Sequence, residues 1–398
     1  MNSQFGAGHS IEGPGFLIFS VTQRPVRVSG GGYWANSDMK SEKGLEPEQK
    51  KPSGIGEKSS QGPLRAGHWP DGPSSPTLES IAFVIERSRD VHTRLDRIRE
   101  VASWMAYEDL PMPDYALPLG TGEDGPDWIT DYILTTACAD TAFTDFSTHE
   151  KFAVKYAGRE WSDSDALFAC MRRALDEGIP VLDGAFLAQL TRPQMEKIFS
   201  ANIELPMLDD KMEILREVGK ILDDRYNGRF HNFVRTCSRK LYDRGNGLVE
   251  RLASEFQRFN DVSDYDGHTV QFYKLAQLSF WFLYLSLRKS GTFRIDDLDR
   301  MTAFADYIVP AAMRLLGITT YSEGLEKAVQ THQLIPRDSH WEVEIRAHCI
   351  YASALLAQEI NRRRPGDRQV IVPQIDFRLW SHYHTTWWPH HLTKTIMY

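Results

Sequence analysis

Apolar side chains recur at intervals of three and four residues through most of the chain after Pro76, and this spacing constrains the fold more than any other feature. The first such series runs from Ile81 to Met105, with Arg and Glu on the opposite face. An apolar stripe of this period is typical of an amphipathic α-helix. The same pattern returns in residues 167–177, 192–201, 212–224, 247–256, 270–287, 296–316, 322–334 and 341–363. The sequence therefore predicts a mostly α, single compact helical domain over residues 76–398.

Strand-like alternation is scarce. Residues 152–156, followed by Ala157-Gly158 and residues 159–161, predict a small β-hairpin, and residues 370–372 are a second candidate strand. The longest apolar run, at 278–287, is interrupted by serines and is shorter than the roughly 20 residues that cross a bilayer. We therefore expect a buried helix there, and no membrane partner.

Residues 1–75 differ in composition from the rest of the chain. They contain 13 Gly, 7 Pro and 11 Ser. Such a segment buries too little apolar surface to offset its backbone entropy, so it is predicted to be a disordered tail. Composition favours a dispensable extension; a tail that binds partners, with Tyr33-Trp34 as its contact point, is the alternative.

Charge and cysteine usage exclude several classes of protein. The chain has 46 basic and 54 acidic residues, a net charge of −8, which argues against a nucleic-acid binder but leaves a single nucleotide as a ligand. Its four cysteines are widely spaced, as in reduced intracellular proteins. No basic segment precedes the apolar patch at 15–19, so no signal peptide is predicted, and we expect a cytoplasmic or nuclear protein.

General sequence motifs do not identify a site. The chain has no GxGxxG after a strand, no GxxxxGK[ST], no HExxH and no GxSxG. Four histidines near the C-terminus suggest a metal site, but only Asp376 lies near them as a further ligand. A packed aromatic segment is the favoured interpretation. These histidines are His382, His384, His390 and His391.

Charged residues within apolar segments are more informative. Asp306 lies in the apolar run 301–310, and a buried carboxylate is costly unless it is paired or hydrogen-bonded. Periodicity alone favours a helix N-cap for Asp306, and first-turn partners of a helix dipole for Glu342 and Glu344. Lys274, at the edge of a long apolar helix, fits snorkelling and a buried salt bridge equally well.

Seven segments, in order along the chain, carry a family resemblance. They are Arg-Ala-Leu-Asp-Glu-Gly-Ile-Pro (173–180), Phe-Asn-Asp-Val (259–262), Tyr-Asp-Gly (265–267), Val-Gln-Phe-Tyr-Lys-Leu-Ala-Gln (270–277), Met-Thr-Ala-Phe-Ala-Asp-Tyr (301–307), Glu-Val-Glu-Ile-Arg (342–346) and Ile-Asp-Phe-Arg-Leu-Trp (375–380). Together with residues 83–91 they resemble the queuosine salvage proteins, which are queuosine 5′-phosphate N-glycosidases. The resemblance covers nearly all of residues 76–398.

The resemblance implies a fold distantly similar to helix-hairpin-helix DNA glycosylases. It implies an enzyme that hydrolyses the N-glycosidic bond of queuosine 5′-phosphate and releases queuine for tRNA modification, with no metal and no cofactor. Asp306 takes the role of the catalytic carboxylate facing C1′, and Lys274 pairs with that carboxylate or with the ligand. The other substrate-binding residues implied are Phe304, Ala305, Tyr307, Phe143, Asp376, Trp380 and Glu344.

The chain also departs from the family pattern. Its counterpart of the family's aromatic stretch, residues 140–144, keeps only Phe143 in register, and Leu275 and Ile308 replace arginines. Two alternatives therefore stay open. One is a non-catalytic or altered-specificity binder of a modified nucleoside or nucleotide on the same fold. The other is a helical interaction scaffold in which Asp306 is only a cap.

Overall fold

The computed structural model describes residues 69–114, 125–383, 386 and 388–398, and these form a mostly helical structure. The predicted fold class is confirmed; the likeness to helix-hairpin-helix glycosylases stays a prediction. The predicted tail lies outside the described residues over positions 1–68, as do Tyr33 and Trp34. The helices are α1 Pro76–Ser80, α2 Ala82–Arg87, α3 Leu95–Met105, α4 Pro126–Ala137, α5 Asp163–Asp176, α6 Gly184–Leu187, α7 Arg192–Ile198, α8 Leu208–Tyr226, α9 Phe230–Thr236, α10 Leu248–Glu255, α11 Lys274–Leu287, α12 Ile308–Leu315, α13 Glu323–Gln330, α14 His340–Asn361 and α15 Val372–Tyr383.

Strands in the described residues form three antiparallel pairs. They are β1 Val91–Thr93 with β6 Thr319–Tyr321, β2 Ala153–Tyr156 with β3 Arg159–Ser162, and β4 Val262–Tyr265 with β5 His268–Gln271. The predicted hairpin is β2–β3, and its turn places Ala157 and Gly158 at φ of 50° and 80°, as tight hairpin turns require.

The second candidate strand, at 370–372, was wrong. The Asn361 side chain forms hydrogen bonds with both backbone polar groups of Val370: it accepts the N–H at 2.9 Å and donates to the carbonyl at 2.8 Å. Val370 therefore has no backbone group left for a strand partner, and α15 begins at Val372.

The series that begins at Ile81 is not one helix. Helix α2 ends at Arg87, and β1 pairs with β6 before α3 begins at Leu95. The buried Glu344 carboxylate of α14 accepts the N–H groups of Arg89, Asp90 and Val91 at 3.1, 2.8 and 2.9 Å. These bonds replace the helical ones, so the apolar period continues across a break in the helix.

Two other predicted helices are shorter than their apolar patterns. The segment 270–287 begins as strand β5, and α11 starts at Lys274 after Tyr273, whose φ is 48°. In 296–316 only Ile308–Leu315 is α-helical, with Pro310 in its first turn, where a proline is tolerated. Residues 301–307, predicted as helix, form neither a helix nor a strand, and Asp306 and Tyr307 lie in a bend before α12.

Two large hydrophobic clusters divide the core. The first is built mainly on α4, α5 and α7–α11, and the second on α1–α3, α12, α14 and α15. Residues 301–307 run along the boundary: Met301 and Phe304 belong to the first cluster, Ala303 and Ala305 to the second. Sites often form where two packed units meet, and this boundary holds the functional residues described below. No helix in the described ranges has the length and apolarity that a membrane crossing needs.

Gly219 allows α8 to approach α6 closely. A Cβ at this position would lie 2.4 Å from the backbone nitrogen of Ala188 and 2.6 Å from the Cβ of Leu187. We expect Gly219→Ala to lower the free energy of unfolding by about 1–3 kcal/mol, because backbone must move to admit the methyl group. Chemical denaturation measures this. Gly324→Ala in α13 is the control, since its Cβ would meet only Trp341 at 3.7 Å; equal losses in both variants would refute the packing argument.

Candidate active site

The candidate site is built on the irregular segment 301–307, which is buried except for the half-buried Tyr307. Backbone groups buried away from water need hydrogen-bond partners, and this segment has neither a helix nor a sheet to supply them. Side chains from three helices do so. The Gln277 Oε1 of α11 accepts the Thr302 N–H at 2.9 Å, and the Asp376 Oδ2 of α15 accepts the Phe304 N–H at 2.9 Å. The Arg346 Nε of α14 donates to the Ala305 carbonyl at 2.8 Å. These hydrogen bonds hold the backbone that precedes Asp306 in place.

Asp306 is both a buried carboxylate and a helix cap. Its side chain is 8% exposed, and its Oδ1 accepts the N–H groups of Ile308 and Val309, at 2.7 and 3.4 Å, where α12 begins. The prediction from periodicity that Asp306 caps a helix therefore accounts for its Oδ1 atom only. Within the described residues Oδ2 accepts no hydrogen bond. A carboxylate held by one oxygen at the positive end of a helix leaves the other for a ligand.

Lys274 is the first residue of α11 and is 8% exposed. A cation is unfavourable at a helix N-terminus, and its burial adds a desolvation cost. Its backbone N–H donates to Asp261, but in the described part of the chain no carboxylate pairs with its ammonium group. The predicted pairing with Asp306 is therefore not formed. Its other predicted role, contact with a ligand, stays a prediction.

Asp376 provides a second carboxyl group at the site. It is 3% exposed, and burial raises its pKa well above the usual value; the nearby Asp306 carboxylate raises this pKa further, while Lys274 opposes the rise. These influences place Asp306, Lys274 and Asp376 in one electrostatic neighbourhood. One oxygen of Asp376 holds the Phe304 N–H, and the other has no protein partner among the described residues.

Aromatic rings flank this group of charges. Lys274, Gln277 and Trp281 share one face of α11, and the Trp281 ring lies 6.5 Å from that of Phe304. On the other side of Asp306, the Tyr307 ring lies 4.6 Å from the imidazole of His390. Such surfaces suit the flat face of a base.

The 140–143 segment lies near Tyr307. Burial raises the pKa of Tyr307, and the carboxylates of Asp306, Asp163 and Asp140 raise it further. Phe143 is half-buried and packs against the first cluster. Trp380 follows Asp376 by one turn of α15 and stacks on Phe377 at 6.4 Å. The roles of Phe143 and Trp380 in binding substrate stay predictions.

Glu344 has another position. Besides the three N–H groups before and at the start of β1, its carboxylate accepts the Tyr265 hydroxyl at 2.7 Å. The protein itself uses these oxygens, so we leave Glu344 out of the site. The interpretation of Glu342 and Glu344 as first-turn dipole partners is also incomplete, because both are fully buried.

Two departures from the family pattern fall in the core. Leu275 is 1% exposed in the first cluster and Ile308 is 7% exposed in the second. The side chains of both therefore pack in the core, while the backbone N–H of Ile308 donates to Asp306. Among the described residues no group of three or more His, Cys, Asp or Glu could hold a metal ion; His384 lies outside them.

The sequence interpretation assigned no role to several residues that build the site. Gln277, Asp261 and Arg346 lie in the segments that carry the resemblance, but no function was assigned to them. Gln277 and Trp281 follow Lys274 by three and seven residues, so all three lie on one face of α11. Helical spacing could therefore have identified Gln277 and Trp281 as site residues. His390 could not, because its contact with Tyr307 joins residues far apart in the chain.

Comparison with known proteins identifies relatives over most of the chain. The family model described as queuosine salvage protein matches residues 123–398. A protein of Sphaerobacter thermophilus is 32% identical over 81% of this chain and 97% of its own length. A Schizosaccharomyces pombe protein is 30% identical over 77% and 91%, and one of Mus musculus 27% identical over 78% and 94%. All three bear the name queuosine 5′-phosphate N-glycosylase/hydrolase.

Proposed function

The chain belongs to the queuosine salvage protein family, and from this premise we propose that it is an N-glycosidase that hydrolyses queuosine 5′-phosphate and releases queuine for tRNA modification. One observation carries the proposal: the buried Asp306 carboxylate is anchored by one oxygen, and no group in the described part of the chain bonds to its other oxygen, which lies in the electrostatic neighbourhood of Lys274 and Asp376. The names of the relatives favour an enzyme over a binder or a scaffold.

Asp306 acts on the sugar. Breaking the bond between C1′ and the base nitrogen builds positive charge on the ribose, in an oxocarbenium-like state. The second oxygen of Asp306 faces C1′. It stabilises that charge while the base leaves with the bonding electrons and water attacks C1′, or it bonds to C1′ itself and water then displaces it. In both routes the water supplies the hydroxyl group to C1′ and a proton to the base. Because its first oxygen is fixed by the N–H groups of Ile308 and Val309, the carboxylate needs little reorganisation as the reaction proceeds.

Asp376 and Lys274 set the charge of the site. Burial raises the pKa of Asp376, and the Asp306 carboxylate raises it further, so the protonated form of Asp376 is favoured relative to that of a solvent-exposed aspartic acid. In this protonated form Asp376 donates a hydrogen bond to the substrate from the oxygen that does not accept the Phe304 N–H. Lys274, which has no carboxylate partner in the described residues, binds an acceptor or an anionic group of the substrate.

Aromatic side chains bind the base. Phe304 and Tyr307 flank Asp306 on its own segment, and their ring neighbours Trp281 and His390 support them. Phe143 and Trp380 close the edges. The Ala305 side chain is buried in the second cluster, so Ala305 contributes through its carbonyl, which accepts a hydrogen bond from Arg346. The nucleotide is the only partner that we propose.

Incubation of the full chain with queuosine 5′-phosphate, queuosine and GMP tests the function. We expect queuine, detected by mass spectrometry, from queuosine 5′-phosphate and much less from the unphosphorylated nucleoside. Release of no base from any of the three, with thermal stabilisation by queuosine 5′-phosphate intact, would refute hydrolysis and leave the non-catalytic binder.

A further inference from the structure

One buried ion pair connects the 301–307 segment to the start of α11. Arg346 and Asp261 are each 1% exposed and meet through two bonds, Nη2 to Oδ2 at 2.5 Å and Nη1 to Oδ1 at 3.0 Å. The third donor of Arg346, its Nε, bonds to the carbonyl of Ala305, the residue before Asp306. Asp261 also accepts the backbone N–H of Lys274 at 3.2 Å. Three successive links thus join the backbone beside Asp306 to the backbone of Lys274.

The surroundings of Arg346 restrict its movement. Its guanidinium lies between the rings of Phe272 and Tyr398, at 3.9 and 4.4 Å from their centres. Glu342 approaches Nη1 at 3.4 Å and accepts the Tyr398 hydroxyl at 3.0 Å. Contacts with two rings and a bidentate hydrogen bond to a carboxylate hold the planar guanidinium in a single orientation.

Stability alone gives little reason for this arrangement. Burying charges costs desolvation energy that their attraction roughly offsets, and well-packed apolar residues often do as well. The links instead end on the backbone of Ala305, the residue before Asp306, and on the backbone of Lys274, which come from separate segments. A fixed separation between a reacting carboxylate and a cation is what preorganised catalysis needs.

We propose that Arg346 and Asp261 are positioning residues that fix the distance between Asp306 and Lys274. The proposal rests on the proposed function for its kinetic consequence, but the distance itself is a property of the fold. Neither residue touches the substrate: both side chains are buried and their bonds go to protein groups.

Arg346→Lys tests the pair because it keeps the positive charge but loses the bidentate hydrogen bonds to Asp261 and the Nε hydrogen bond to the Ala305 carbonyl. We expect kcat to fall about 30-fold with KM within about threefold, since a displacement near 1 Å can cost ~100-fold in rate. Asp261→Asn should behave similarly. Because the two residues act as one unit, the double variant should lose little more than either single variant.

Asp131→Asn is the matched control. Asp131 is also buried, and its carboxylate joins α4 to His231 through two bonds of 2.8 Å, but it bonds to neither Lys274 nor the 301–307 segment. We expect it to lower the melting temperature as Asp261→Asn does while kcat stays near that of the wild type. Equal losses of kcat in both variants would overturn the proposal, as would a loss confined to KM.

Crystal structures of the wild type and Arg346→Lys make the test independent of turnover. The distance between the Lys274 ammonium and the Asp306 carboxylate should change in this variant and not in Asp131→Asn. An unchanged distance would overturn the positioning role. If Arg346→Lys does not fold, Asp261→Asn provides the same structure and kinetics. A wild-type chain without activity would refute the proposed function, while the distances would still decide this inference.

Discussion

Asp306→Asn is expected to hydrolyse queuosine 5′-phosphate about a thousandfold more slowly than the wild type, a loss of about 4 kcal/mol in stabilisation of the transition state. The amide keeps an oxygen that can accept the N–H groups of Ile308 and Val309, so the cap on α12 is retained. Only the negative charge facing C1′ is lost. Single-turnover rates measure the effect, and the affinity for substrate should change little.

Asp306→Ala separates the cap from the chemistry. This variant loses the charge and both hydrogen bonds, so it should be as inactive as Asp306→Asn and also less stable by about 1 kcal/mol. If Asp306→Asn keeps turnover within tenfold of the wild type, Asp306 is a helix cap and the mechanism is wrong.

Lys274→Met is expected to lower turnover about a hundredfold and to raise the free energy of unfolding by about 1 kcal/mol. The two effects have opposite signs because the ammonium group is buried at a helix N-terminus without a carboxylate partner in the described residues. Methionine fills similar space without that cost. Steady-state kinetics and denaturant unfolding on the same preparation measure both effects.

Lys289→Met is the control at the other end of α11. Lys289 is exposed and pairs with Asp114 at 2.6 Å, two residues beyond the helix end, where a cation is favourable. Its removal should leave turnover unchanged and cost at most about 0.5 kcal/mol of stability. A Lys274→Met variant that is active, or less stable than the wild type, would contradict the role assigned to this lysine.

Periodicity predicted helices well where an apolar stripe faces one core. It failed in residues 301–307 because their apolar side chains alternate between two clusters while distant side chains satisfy their backbone. A pattern of spacing contains no information on which side chain will accept the Phe304 N–H. The same reason explains the break before β1, where Glu344, more than 250 residues away along the chain, takes three N–H groups.

The sequence indicated which charged residues belong to the site more reliably than it indicated their hydrogen-bond and salt-bridge partners. Asp306 was selected as a charged residue in an apolar segment and Asp376 through the family resemblance, and Asp306 and Lys274 both influence the pKa of Asp376 in the structure. A direct pair between Lys274 and Asp306 is not formed; the partner of Lys274 in the described residues is Asp261, which accepts its backbone N–H. Glu344 matched the same pattern of a buried carboxylate, yet it bonds to a turn.

The way the 301–307 segment is held has a consequence for the order of folding. The amide protons of Thr302 and Phe304 are protected by side chains of α11 and α15, elements that begin at residues 274 and 372. The Thr302 proton is shielded only once α11 has docked on the segment, and the Phe304 proton only once α15 has docked. Exchange of these two amides with deuterated solvent during refolding should therefore show whether the two helices dock in one cooperative step or in sequence.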